Sequence, residues 1–277
     1  MLGQYLITFR EVLEAALITA IVLAYLARTG RKTLSHYVWY GVYLAIAASA
    51  VLGVSIWLVY GILSKSVQVL FEGAAALIAV IVLSSMIYWT ATKGRELKKE
   101  VERKVEAIAT REATLGLASF AFIAVFREGF ETVLFLTPFM VTDASDTFIG
   151  AFLGMLASLG LAYAIFAIGM KINMRRFFYF TSILLVLLAG GLTGYGVHEL
   201  IEYSELSGTG LGWLGDSAYV LNLSSDSPFH HKGAIGSIFA VMFGYTVEAE
   251  WLRLIAHFAY LAIVLPLVIW AYRKRLD

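Results

Sequence analysis

Seven stretches of the chain stay apolar for the length of a membrane crossing, at 2–27, 37–63, 67–92, 115–139, 147–170, 177–201 and 252–272. Each exceeds the ~18 residues that separate a spanning helix from a buried core element. The polar segments between them are short, with two exceptions. Segment 93–113 (KGRELKKEVERKVEAIATREA) is dense in charge and places Glu100 four residues before Lys104, which predicts a solvated helical connector. Segment 203–251 is rich in Gly and Ser and then turns apolar at GAIGSIFAVMFGY, a run too short to span and expected to lie at the interface or to re-enter. The first apolar run begins almost at Met1, with no basic segment before it and no small-residue cleavage site, and is read as a retained helix.

Basic residues fall in alternate connections. Arg28, Arg31 and Lys32 follow the first run, and Lys93, Arg95, Lys98, Lys99, Arg103, Lys104 and Arg111 follow the third. Lys171, Arg175 and Arg176 follow the fifth, and Arg273, Lys274 and Arg275 the seventh, against only Lys65, Lys232 and Arg253 on the other side. The positive-inside rule therefore puts the N-terminus outside and the C-terminus inside. Trp39, Tyr40, Trp57, Tyr60, Trp89, Trp270 and Tyr272 fall near run ends, as an aromatic belt requires. Gly150, Gly154, Gly169, Gly190, Gly191 and Gly194 are expected to permit close helix packing.

Composition agrees with this pattern. Of 277 residues 60% are hydrophobic and 15% charged, which excludes a soluble or a disordered chain. A net charge of +1 gives nucleic acid no hold. The absence of cysteine excludes disulfides, thiolate metal sites and cysteine nucleophiles. No G-x-x-x-x-G-K-[ST] occurs, so no ATP hydrolysis is expected.

The chemistry lies in a repeat. Phe9-Arg10-Glu11-Val12-Leu13-Glu14-Ala15-Ala16-Leu17 in the first run shares the frame F-R-E-x-x-E-x-x-L with Phe126-Arg127-Glu128-Gly129-Phe130-Glu131-Thr132-Val133-Leu134 in the fourth, 117 residues further on. With three runs between the copies, the first and fourth cross in opposite senses. This predicts a 3+3 inverted-topology repeat with the seventh helix as an appendage, a common transporter build. At ~1.5 Å per residue both glutamate pairs sit roughly 12–18 Å deep, near the middle of a ~30 Å hydrocarbon layer. Opposite helix directions should bring Glu11 level with Glu131, and Glu14 level with Glu128.

Residues three apart share a helix face, so each helix presents its two glutamates in one direction, and Arg10–Glu14 and Arg127–Glu131 are spaced to pair. Each copy still holds one more carboxylate than guanidinium. Charges at this depth need partners, water or a bound cation. A carboxylate group with no thiolate and no histidine favours a hard cation over Cu(I) or a typical zinc site. On chemistry alone Fe(III), Fe(II), Mn(II), Ca(II) and protons stay open.

Two R-E-x-x-E motifs, in the first and fourth of seven helices with the N-terminus outside, resemble the ferric iron permease family, and the resemblance covers essentially the whole chain. Phe71-Glu72-Gly73 with Met86 and Trp89 is similar to the family's acidic third helix. Gly196-Val197-His198-Glu199-Leu200-Ile201-Glu202 resembles its G-x-H-E-L-x-E ending, and Phe243-Gly244-Tyr245 is also shared. The favoured R-E-G-L-E is here REVLE and REGFE, departures that remove no charged residue. The resemblance implies uptake of Fe(III) across the plasma membrane (the inner membrane in a bacterium). Glu11, Glu14, Glu128 and Glu131 would be the metal ligands, with Arg10 and Arg127 tuning the local charge. It also implies an extracytoplasmic iron-oxidising or iron-binding partner.

Glu72 and Glu199, with His198 and Glu202, are expected to form a further metal site near the outer surface. Asp143, Asp146, Glu205, Asp216, Asp226, Glu248 and Glu250 would make an acidic vestibule. His230-His231 beside Pro228 has no defined ligand geometry. The expected fold is all-α, polytopic and lipid-embedded: repeat 1 at 1–92, a cytoplasmic connector at 93–114, repeat 2 at 115–202, an outer region at 203–251, and the seventh helix with its basic tail at 252–277. The expected activity is an iron permease, not an enzyme, with iron as cargo and no resident cofactor. The alternatives are a carrier of Fe(II), Mn(II) or Pb(II), a proton or cation channel, and a membrane di-iron enzyme. The enzyme is disfavoured because such sites use two Glu-x-x-His motifs and both motifs here end in glutamate.

Overall fold

A computed structural model describes residues 1–93, 97–109, 114–170, 172–224, 227–231, 233 and 235–273. Arg95, Arg111, Lys171, Asp226, Lys232, Lys274 and Arg275, used in the charge reading above, lie outside the described residues. The helices are α1 (Leu2–Arg28), α2 (Ser35–Gly61), α3 (Lys65–Lys93), α4 (Leu97–Ala109), α5 (Thr114–Thr142), α6 (Ala144–Phe166), α7 (Met174–Leu206), α8 (Gly236–Phe243) and α9 (Trp251–Arg273). Strands β1 (Ser217–Val220) and β2 (Glu248–Glu250) pair antiparallel.

Among the described residues, five helices are long and apolar enough to cross a membrane: α2, α3, α6, α7 and α9. Helices α1 and α5 are as long, at 27 and 29 residues. Each carries an arginine and two glutamates at mid-length, so apolarity alone does not mark them.

The chain divides into two compact units, each drawn from separate stretches of the sequence. The first holds α1, α2 as far as Leu58, α4, α5 and α6; the second holds the end of α2 from Val59, with Tyr60, and α3, α7, the β1–β2 ribbon, α8 and α9.

The first unit packs around an aliphatic cluster of Ile18, Val22 and Leu26 from α1, Val38, Val42 and Ala45 from α2, Val101 and Val105 from α4, and Leu117, Ala121 and Val125 from α5. The connector α4 was expected to be solvated. Its polar face is, with Lys104 2.8 Å from Glu100 and Arg28 2.8 Å from Glu102. Val101 and Val105 are four apart on the opposite face and are buried in the core, because an amphipathic helix covers the exposed ends of its neighbours.

Glycines set the other contacts of this unit. A Cβ at Gly41 of α2 would overlap the Ala118 carbonyl of α5, one at Gly129 of α5 would overlap Ser49 of α2, and Gly53 faces Val133. Residue numbers rise together along this seam, so α2 runs parallel to α5. A Cβ at Gly150 would lie 2.7 Å from the Met1 carbonyl, and one at Gly154 2.5 Å from that of Tyr5, so α6 runs parallel to α1. Small residues let backbones approach in this way where lipid supplies no hydrophobic drive between helices. Asp143 accepts the Asp146 amide at 3.0 Å and caps α6 at the turn from α5.

In the second unit Gly73 of α3 meets Gly196 of α7, and Gly190 of α7 faces His257 and Leu261 of α9. His257 Nδ1 lies 2.8 Å from the Gly190 carbonyl, Ser84 bonds Tyr260 at 2.7 Å, and Ser182 bonds Tyr272 at 3.0 Å. The apolar stretch before α9 forms α8, whose carbonyls at Ala240 and Val241 face Gly191. Gly244 ends α8 at φ +63° against the His257 ring, a position closed to other residues by backbone and by space. Gly169 differs from the packing glycines: its φ is +77° with nothing near it, so it serves a turn after α6. The β1–β2 ribbon was not foreseen, since its strands are short and no hairpin turn joins them.

Gly154→Ala should lower stability by about 1–3 kcal/mol through overpacking against α1. Gly160→Ala, on the same helix with nothing within 4 Å of its Cβ position, should leave it unchanged or raise it. Thermal unfolding of the two purified variants in detergent checks the contrast.

Candidate metal-binding sites

In the first unit α1 presents Arg10, Glu11 and Glu14, all buried. Arg10 Nη1 donates to Glu11 Oε1 at 2.9 Å, and Nη2 lies 2.8 Å from Glu14 Oε1. The i, i+1 and i, i+4 spacings place both carboxylates within reach of one guanidinium. On α5, Arg127 Nε lies 3.1 Å from Glu131 Oε1 and 3.4 Å from Glu128 Oε1. The copies are not equivalent: the Arg10 side chain is 1% exposed and that of Arg127 49%.

Carboxylate oxygens of Glu11, Glu128 and Glu131 lie within 4.8 Å of one another. Glu14 is not a member of that group and is engaged by Arg10. Oε2 of Glu11, of Glu128 and of Glu131 are buried without a hydrogen-bond partner in the protein. Three carboxylates this close repel one another, and buried oxygens of this kind require a cation or a donor. All the ligating atoms are hard oxygen, which suits an oxygen-seeking metal ion.

In the second unit, α7 continues to Leu206, beyond the apolar run ending at 201, so His198, Glu199 and Glu202 are all helical. One ligating atom from each lies within 4.8 Å of the others. His198 Nδ1 is 2.8 Å from Glu250 Oε1. A carboxylate accepts there, so Nδ1 carries the proton, and Nε2 is the nitrogen that a neutral ring would offer to a metal. Glu250 is delivered by β2, with Arg253 Nη1 4.0 Å from its second oxygen. Burial pushes the Glu250 carboxyl up, but the His198 hydrogen bond, its own backbone amide and the nearby positive charge outweigh that and hold it below the usual carboxylate range.

Glu72 is not one of this trio but lies near enough to Glu199 for the two carboxyl groups to influence each other. Tyr60 donates to its Oε1 at 2.5 Å and Tyr195 to its Oε2 at 2.6 Å, so both oxygens are satisfied by phenols. Sequence reading missed Tyr195 and Arg253 as site residues, took Tyr60 for a belt residue, and placed Glu250 only in the acidic vestibule. The available signals were the three-residue spacings Tyr195–His198 and Glu250–Arg253, each of which puts its pair on one helical face or turn.

Three other acidic residues of the expected vestibule have local partners. Asp143 caps α6, Asp146 lies 3.5 Å from the Met1 ammonium, and Glu248 accepts from Ser217 at 2.5 Å. The rings of His230 and His231 lie 4.2 Å apart at a tilt of 31°, and neither joins a three-residue ligand group among the described residues.

Residues 1–270 match the sequence pattern of the iron permease FTR1 family. A protein of Archaeoglobus fulgidus with no stated function is 44% identical over 274 residues, 99% of this chain and 96% of its own. The ferrous iron permease EfeU of Escherichia coli O6:H1 is 32% identical over 274 residues, 96% of both chains. That of Yersinia pestis is 31% identical over 264 residues, 94% of this chain and 90% of its own. No solved structure matches the chain. With the paired R-E-x-x-E carboxylates gathered in a helical membrane scaffold and the pattern matched along the chain, the protein belongs to the iron permease FTR1 family.

Proposed function

We propose that the protein carries iron across the plasma membrane into the cytoplasm through the carboxylates of Glu11, Glu14, Glu128 and Glu131, and that the cargo is Fe(III). The observation that carries this reading is the gathering of Glu11, Glu128 and Glu131 oxygens within 4.8 Å, each side chain with one buried oxygen lacking a protein partner. An all-oxygen, net-negative group favours the smaller and more highly charged ion. Arg10 holds Glu11 and Glu14 in place and lowers the group's negative charge, so that the ion is bound without being trapped. The half-exposed Arg127 does the same for Glu128 and Glu131. Iron is cargo here, not a resident cofactor, and the protein transports without catalysing a reaction.

In this reading α1, α2, α3, α5, α6, α7 and α9 span, with the N-terminus outside. The parallel seams support an inverted repeat. Helix α6 runs along α1, and α5 joins α6 through the single residue Asp143, so α5 runs against α1. His198, Glu199 and Glu202, held by Glu250, capture cations from the outer solution, beside Glu72 in its tyrosine clamp. An extracytoplasmic iron-oxidising or iron-binding partner supplies the ion. A second reading, carriage of Fe(II), is favoured by the name of the Escherichia coli and Yersinia relatives, ferrous iron permease.

Radiolabelled iron uptake into proteoliposomes, with the metal held as Fe(III) in one series and Fe(II) in the other, tests the proposal. Uptake should occur in the Fe(III) series, and uptake confined to Fe(II) would select the second reading. Glu128→Gln should reduce uptake by more than the roughly 100-fold that loss of an outer-shell metal partner can cost, with the protein still inserted and folded. Normal uptake by that variant would refute the role of the carboxylate group. Glu199→Gln should raise the half-saturating iron concentration several-fold, on the scale of losing one ligand of a weak site, and leave the maximal rate unchanged in the same assay.

A further inference from the structure

Gln4, Thr8 and Glu11 follow one another at spacings of four and three, which stacks them on one face of α1. Their exposures are 5%, 5% and 1%. Gln4 Oε1, Thr8 Oγ1 and Glu11 Oε2 have no hydrogen-bond partner in the protein.

Thr8 departs from the habit of other helical threonines. The hydroxyls of Thr132, Thr137, Thr147 and Thr193 fold back onto the carbonyl one turn earlier, at 2.7, 2.7, 2.8 and 2.8 Å. That of Thr8 does not. Serines repeat the contrast: Ser49 and Ser84 bond the carbonyl one turn back, whereas Ser158 of α6 is fully buried with a partnerless Oγ. Helix α6 runs along α1 with Gly150 against Gln4 and Gly154 against Thr8. The next position in that register, Ser158, therefore comes level with Val12, on the turn that carries Glu11. Buried oxygens that could bond locally and do not are costly in apolar surroundings. Here they form a row that leads to the carboxylate group.

The other approach to the carboxylates is apolar. In the repeat frame, Ala121 and Val125 of α5 stand where α1 has Gln4 and Thr8. Both are buried in the cluster with Ile18, Val22 and Leu26 of α1 and with Leu117. The repeat is thus symmetric in its charged motif and asymmetric in what leads to it.

We propose that Gln4, Thr8 and Ser158 line a one-sided path by which a partly hydrated hard cation reaches the Glu11–Glu128–Glu131 group, and that the cluster around Val22 and Val125 is the closed gate on the opposite side. The path rests on the reading of that group as an ion site. Amide and hydroxyl oxygens replace hydration waters one at a time without the net charge that would hold the ion there. Release to the other side requires Val22 and Val125 to separate.

The chain has no cysteine, so Thr8→Cys, Ser158→Cys, Val22→Cys and Val125→Cys each carry a unique thiol. A membrane-impermeant methanethiosulfonate is applied to sealed vesicles of each orientation in the absence of iron. Thr8→Cys and Ser158→Cys should be modified from the side on which α1 begins and lose modification from the other, while Val22→Cys and Val125→Cys resist from both. Failure to modify Thr8→Cys and Ser158→Cys from either side, or modification of Val125→Cys as fast as Thr8→Cys, would overturn the path. Thr8→Val, which removes one neutral oxygen, should slow iron uptake roughly tenfold; unchanged uptake would count against the path. Labelling is read without iron. The expected pattern in a protein that takes up no iron would uphold the path and refute only the proposed function. Uptake with an unmodified Thr8→Cys would do the reverse.

Discussion

The guanidinium of Arg10 is buried to 1% exposure in a helix otherwise built for an apolar setting, and both its acidic neighbours are on its own helix at one and four residues' distance. A charge so placed must be neutralised locally, and the R-E-x-x-E spacing does this on a single face. The second copy does the same with a half-exposed Arg127. Four carboxyl groups against two guanidiniums leave an excess of buried acidic groups. The partnerless oxygens of Glu11, Glu128 and Glu131 are where that excess is concentrated.

That concentration needs α1 and α5 in one unit, and the backbone contacts of α2 and α6 help supply it. Gly41 lets α2 lie on α5, and Gly150 with Gly154 lets α6 lie on α1. The helix that follows each R-E-x-x-E helix thus packs on the helix that carries the other motif. A methyl group at these positions would push apart the helices that carry the glutamates. The same seam brings Ser158 to the turn that carries Glu11, so one packing device serves both the scaffold and the approach to the carboxylates.

The second unit solves a different electrostatic problem. Glu72 is satisfied by two phenols, whereas His198, Glu199 and Glu202 form a mixed nitrogen and oxygen group whose histidine is oriented by Glu250. The first unit has only oxygen ligands and incomplete satisfaction, the second a histidine with a partner already in place. An all-carboxylate group selects hard ions and a set containing imidazole is more permissive, so the two groups differ in the ions they would favour.

The apolar runs, the inward-facing glutamates and the Arg–Glu spacings were readable from the chain because helical periodicity and burial are local properties. The Glu100–Lys104 pair and the Gly150–Gly154 contact were readable for the same reason. Other features depend on residues far apart in sequence. Tyr60 and Tyr195 close on Glu72 from α2 and α7, and Glu250 reaches His198 across 52 positions through a strand pair with no hairpin signal. The buried face of α4 and the turn at Gly169 depend on neighbours, or on a φ angle, that composition does not encode. Sequence by itself determined that this chain is a helical membrane protein with two acidic motifs, since hydrophobicity and charge are fixed residue by residue. Only the tertiary structure decided which oxygens are left without partners, because satisfaction is a property of three-dimensional neighbours.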